Sequence, residues 1–130
     1  MIFVTLETAK LLKQAGVHTM PKIGQIWCLE ESGTPFIVNE VFIRTYSPIG
    51  IPKLDFNYIW LPTVEELLEW IYDNTENDKN LKYLRGMAMK RIGSNRWLFE
   101  CDMLFEYHTS NINETVSEFI ARIILSKLNP

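Results

Sequence analysis

From Met87 to Asp102 the residues on either side of Gly93-Ser94-Asn95 alternate in a two-residue period. That pattern constrains the chain more than any other, because a period of two fits an antiparallel hairpin and does not fit a helix. If Ile92 faces Arg96, then Arg91 faces Trp97, Met89 faces Phe99 and Met87 faces Cys101 on one side of the pleat. Lys90, Leu98, Ala88, Glu100, Gly86 and Asp102 share the other side. The first face turns Met, Phe and Trp toward a core, as a half-buried sheet requires.

The flanking segments have helical periodicity. Thr5 caps a first helix that has Glu7 in its opening turn and stops at Gly16. Leu61-Pro62-Thr63 with Glu66 three residues on forms a capping box for a second helix. Val64, Leu67, Leu68 and Ile71 give that helix an apolar stripe, opposite Glu65, Glu66, Glu69 and Asp73, with Trp70 and Tyr72 on either side of the stripe. A third helix spans about Val116 to Leu128, capped by Thr115 or Asn113, and buries Val116, Phe119, Ile120, Ile123 and Ile124. Ile23–Leu29 and Phe36–Thr45 read as two further strands joined by the Glu30–Pro35 turn. Apolar residues on both faces of the second imply a central strand or one covered on both sides. Tyr46–Asn57, with Pro48, Gly50 and Pro52, reads as a long irregular loop of the kind that often carries function.

These elements predict an α+β fold in the order α-β-β-(β)-α-β-β-α. The expected architecture is a single domain, 1–130, with an antiparallel sheet of about four to five strands built from two hairpins and covered by three helices. With 130 residues, 47% of them hydrophobic, the chain can bury a core without disulfides. Cys28 and Cys101 both lie in apolar runs, which favours buried free thiols. The apolar start Met1–Val4 is too short for a signal peptide, and no apolar run spans a bilayer, so a cytoplasmic protein without membrane partners is expected.

Charge is unevenly distributed. Six acids lie between Pro62 and Asp78, and six bases with no acid lie between Lys79 and Arg96. A basic hairpin with aromatics is one way to hold nucleic acid, and Lys82, Arg85, Lys90, Arg91 and Arg96 are the candidate contacts. The net charge of −3 and the scatter of these cations over both hairpin faces, near Glu100 and Asp102, favour internal neutralisation instead. The surplus of aromatics points to a protein-contact patch or a homodimer, with Trp70 and Tyr72 as candidates.

No catalytic motif, metal motif or cofactor fingerprint is present. His18, Cys28, Cys101 and His108 lack ligand spacing, and the glycines form no phosphate loop. A Cys–His nucleophile would require an accessible thiolate, which apolar runs disfavour. The paired acids Glu30-Glu31, and Glu65, Glu66 and Glu69, fall at solvated positions, whereas general acid–base work requires carboxylates placed in a pocket.

The segment from Thr5 to Gly16 resembles the opening of short uncharacterised proteins encoded by bacteriophages, prophages and related bacterial mobile elements. The likeness continues in the capped helix Pro62–Ile71 ending on Trp70, in Arg96-Trp97-Leu98-Phe99-Glu100 and in the C-terminal amphipathic helix. It covers the order of elements over most of the chain, and the chain departs from it in the Tyr46–Asn57 loop. It implies a phage or bacterial source and no known activity, so it assigns no catalytic residue. The expected function is a non-enzymatic protein-interaction module. An accessory nucleic-acid binder and an enzyme of unrecognised type are the alternatives.

Overall fold

A computed structural model describes residues 2–46, 58–76, 84, 88–93, 96–101, 106–111 and 113–128. The protein is α+β, with helices and two three-stranded antiparallel sheets. The chain divides into two compact units, Phe3–Pro62 and, with the first two residues, Thr63–Pro130.

In the N-terminal unit, α1 (Leu6–Gln14) begins at Thr5, whose hydroxyl accepts from the Thr8 N–H at 3.3 Å. It ends before Gly16, whose φ of 90° is left-handed backbone that a glycine adopts without strain. A turn follows, in which the Gln25 N–H donates to the Lys22 carbonyl at 3.1 Å. That turn occupies Ile23-Gly24 and delays β1 to Ile26–Leu29. Antiparallel β2 (Pro35–Ile37) pairs Trp27 with Phe36, and β3 (Tyr58–Trp60) pairs Trp27 with Trp60 on the other side of β1. The sheet order is β2-β1-β3, so β1 is central. Trp27 and Cys28 point to opposite faces and are both buried.

The expected long strand Phe36–Thr45 stops at Ile37. From Glu40 to Tyr46 the chain is a helix, α2. The β-branched and aromatic run Val41-Phe42-Ile43 favours a strand, and local polar groups overrule it. The Asn39 side-chain oxygen accepts from the Phe42 N–H at 2.9 Å, which caps the helix start. Glu40 and Arg44 then pair at 3.1 Å one turn apart. Phe42 is carried onto the Trp27 face, with its ring centroid 5.0 Å from Phe36, 5.0 Å from Tyr58 and 6.2 Å from Trp27. β2 is therefore a short edge strand rather than a central one. The long loop falls, apart from Tyr46, outside the described residues.

In the C-terminal unit, α3 (Val64–Asn74) starts on the expected capping box. The Thr63 N–H donates to Glu66 Oε1 at 2.9 Å, and the Glu66 N–H donates to Thr63 Oγ1 at 3.3 Å. β4 (Ala88–Gly93) and β5 (Arg96–Cys101) form the second hairpin. Arg91 faces Trp97, Met89 faces Phe99, Lys90 faces Leu98 and Ala88 faces Glu100, as the alternation requires. At the turn the register shifts: Gly93, not Ile92, faces Arg96, and Ile92 is exposed. A bulge of this kind inserts one residue beside the turn and increases local twist. The Met87–Cys101 and Gly86–Asp102 pairings lie outside the described residues.

A third strand, β6 (Glu106–Thr109), pairs with β5 and was not anticipated. Ser110 extends its pairing beyond the strand end. Its N–H donates to the Trp97 carbonyl at 2.8 Å, and its buried hydroxyl accepts from the Trp97 N–H at 2.7 Å. The strands thus divide between two small sheets instead of joining one. α4 (Val116–Leu128) starts at Thr115, whose hydroxyl accepts from the Glu118 N–H at 3.2 Å. It packs against α3 and buries Phe119, Ile120, Ile123 and Ile124.

Arg122 of α4 ties the turn before the helix to the strand end. Its Nε and Nη2 donate to the two oxygens of Glu114 at 3.1 and 2.9 Å, and Nη2 also donates to the Thr109 carbonyl at 3.0 Å. Burial pushes the Glu114 carboxyl up, but the Arg122 hydrogen bonds, the Asn111 N–H and the Arg122 charge together hold it below the usual range. A carboxyl depressed by folding contributes stability above its unfolded pKa and loses it as pH falls through the lower folded value. The stability difference between wild type and Glu114→Gln is therefore expected to be full at neutral pH, at about 1 kcal/mol for a partly exposed pair. It should shrink toward zero as pH falls below about 4.3, the ordinary glutamate value. Urea titrations of both proteins along that pH series check this, and a difference that does not vary with pH overturns it.

Candidate functional site

α3 carries the acidic face and the two aromatic candidates. Leu67 and Ile71 are fully buried, which sets the direction of the core. Trp70 lies one side of that line and is half-buried, while its carbonyl accepts from the Asn74 side chain at 2.9 Å. Tyr72 lies on the other side and is 63% exposed. The two rings are thus on opposite flanks of the helix, and no single patch contains both.

Tyr72 has a different neighbour. Leu68, expected within the buried stripe, is 40% exposed and lies one turn before Tyr72 on the same flank. The shift follows from helical geometry: 100° per residue moves Leu68 off the Leu67–Ile71 line toward Glu65. Glu65 and Glu69 border the pair and are exposed, Asp73 follows, and no base lies in the last turn. The surface is therefore a small apolar centre with an acidic rim. A tyrosine four residues after a leucine, bracketed by acids, was the sequence pattern that could have marked it.

The basic hairpin is different in kind. Lys90 pairs with Glu100 at 3.3 Å on the expected face. Arg91 Nε donates to the Gly93 carbonyl at 3.0 Å, and Arg96 Nε donates to the Ser110 carbonyl at 3.1 Å. Each of these cations is engaged by the fold itself, two of them by backbone oxygens. Lys82 and Arg85 lie outside the described residues.

Cys28 is a fully buried free thiol at the centre of β1. Burial, reinforced by the Glu30 carboxylate, pushes its pKa up against a smaller opposing pull from Lys10. A nucleophilic cysteine requires the opposite shift. His108, on β6, is half-buried, with its ring edge-on to Phe99 at 6.4 Å. His18 is exposed. Among the described residues, no group of three or more His, Cys, Asp and Glu side chains is placed to hold a metal ion, and no helix is long and apolar enough to cross a membrane.

No protein-family model, curated protein or solved structure matches the chain.

Proposed function

We propose that the protein is a non-enzymatic interaction module of the phage or mobile-element kind, working in the cytoplasm. Its docking surface is the outer flank of α3 centred on Leu68 and Tyr72. The observation that carries this is the exposure of an apolar and aromatic pair one turn apart, bordered by Glu65 and Glu69. Tyrosine is among the residues most often found at interface hot spots, and the charges around such a centre steer and select the partner. The rim selects a partner surface that presents lysine or arginine around an apolar socket. A second copy using the same flank would set acids against acids, so a different protein fits this surface better than a homodimer does.

The test is the double variant Leu68→Ser, Tyr72→Ser. Both side chains are largely outside the core, so the fold should lose no more than about 1 kcal/mol. Tagged wild type should retain a specific basic protein from host lysate in a salt-sensitive way, and the variant should lose it. Sedimentation of both proteins tests self-association in parallel. Identical captured proteins and identical sedimentation for wild type and variant would refute the assignment.

A further inference from the structure

Two rows of side chains run side by side along the outer flank of α3. Glu65, Glu69 and Asp73 recur every four residues and form one row. Leu68 and Tyr72 form the other, 40% and 63% exposed. At a rise of about 1.5 Å per residue, each row advances by about 6 Å per step. The three acids are exposed, and among the described residues none of them forms an ion pair.

The end of the helix adds a second imbalance. α1, α2 and α4 each carry a base in the last turn, Lys13, Arg44 and Lys127, which suits the partial negative charge at a helix C-terminus. α3 has no base there, and Asp73 and the exposed Glu76 follow one another at that end. Positive charge is therefore missing along the whole flank. The two rows also restrict the shape of whatever supplies it. An extended segment points alternate side chains to opposite sides, so it sets a single row against a surface. An amphipathic helix sets two adjacent rows against it, spaced three and four residues apart, with the same repeat as α3.

We propose that this flank binds an amphipathic helix of a partner protein. The apolar row of that helix covers Leu68 and Tyr72, and its lysines or arginines pair with Glu65, Glu69 and Asp73. The inference rests on the reading of α3 as the docking surface, and adds the element and the residue spacing that the surface accepts. Helices pack by setting side-chain rows of one into the grooves of the other, and the four-residue rows of α3 are of that kind. The apolar row supplies contact area, and the row of opposite charges beside it fixes partner and register, as flanking charges do in coiled coils.

The test uses three labelled, alanine-based peptides in fluorescence-anisotropy titrations of the full chain. The first carries a lysine row and an adjacent leucine row at helical spacing. The second has the same composition, with lysine and leucine alternating at a period of two. The third is the first with glutamate in place of lysine. Wild type should bind the first saturably and in a salt-sensitive way, with a Kd on the order of 100 μM. Each of the others should bind at least about tenfold more weakly. The Glu69→Lys, Asp73→Lys protein, shown to be folded by circular dichroism, should lose the lysine peptide and gain the glutamate one, an exchange that loss of structure would not produce. No saturable binding of the first peptide to wild type overturns the proposal, and so does an unchanged preference in the reversed-charge protein. Tighter binding of the period-two peptide overturns the helix and leaves α3 as a docking surface for an extended segment. A first peptide that binds the Leu68→Ser, Tyr72→Ser protein as tightly as wild type overturns the reading of α3 itself.

Discussion

Replacing Phe119 by alanine is expected to destabilise the C-terminal unit by about 3–5 kcal/mol, a large share of the 5–15 kcal/mol that holds most domains folded. Phe119 has no exposed surface and sits at the centre of the buried side of α4. Its ring meets Phe99 of β5 edge-on, with centroids 6.1 Å apart and planes at 78°. The Arg122 guanidinium lies 5.5 Å from the same centroid. Alanine would remove the transfer energy of the ring, the edge-to-face contact and the cation's aromatic partner together. The cavity cannot collapse cheaply, because Ile120, Ile123 and Phe99 around it are themselves buried. Phe119→Leu keeps most of the volume and should cost less than about 1.5 kcal/mol. Urea unfolding of the full-length variants, followed by far-UV circular dichroism, separates the two cases. A loss below about 1 kcal/mol for alanine would mean that α4 is not held by this contact.

The parts of the fold that were legible before the structure are those set by residues close in sequence. Thr5, the Thr63–Glu66 box and Thr115 each satisfy backbone donors within one turn, so the helix starts could be placed from local chemistry. Among the described residues the β4–β5 register follows from alternation, except at Ile92, where a bulge adds a residue that alternation cannot show. Three features were hidden because they depend on distant partners or competing local preferences. β3 is the optional strand of the expected order, but its pairing with β1 spans a long stretch of sequence and was not legible. β6 is short and partly polar, and only its pairing with β5 and the Ser110 hydroxyl make it a strand. Val41-Phe42-Ile43 has strand propensity that the Asn39 cap and the Glu40–Arg44 pair outweigh.

The candidate sites were legible to a similar depth. The acids of α3 lie on one face as expected, but Leu68, grouped with Val64, Leu67 and Ile71 in one apolar stripe, is 40% exposed. The expected neutralisation of the hairpin cations by nearby acids is seen for Lys90, which pairs with Glu100, but a count of charges takes no account of backbone oxygens. Arg91 and Arg96 find their acceptors in the Gly93 and Ser110 carbonyls, which are present in every sequence and invisible in its composition.

Replacing Trp27 by alanine is expected to cost the N-terminal unit about 3–5 kcal/mol, comparable to the loss at Phe119. The indole is buried on the central strand and faces Phe36 on one side and Trp60 on the other. Phe42 of α2 packs onto the same face within reach of Trp27, Phe36 and Tyr58, so the truncation would open a gap beneath the aromatic group that seats α2. It would also take from Gln25 one of its two donors. Trp27→Phe separates packing from hydrogen bonding. It retains an aromatic ring and loses the bonded N–H, so its cost should be about 1–2 kcal/mol. The same exchange at Trp60 removes a comparable part of a buried indole but breaks no hydrogen bond among the described residues, and should cost less. Parallel urea titrations of Trp27→Phe and Trp60→Phe measure the difference. A greater loss at Trp27 supports the view that Gln25 secures one indole and leaves the other with a donor to spare. Equal losses would show that the bond to Gln25 adds nothing to stability, and that the contrast between the two tryptophans is one of geometry alone.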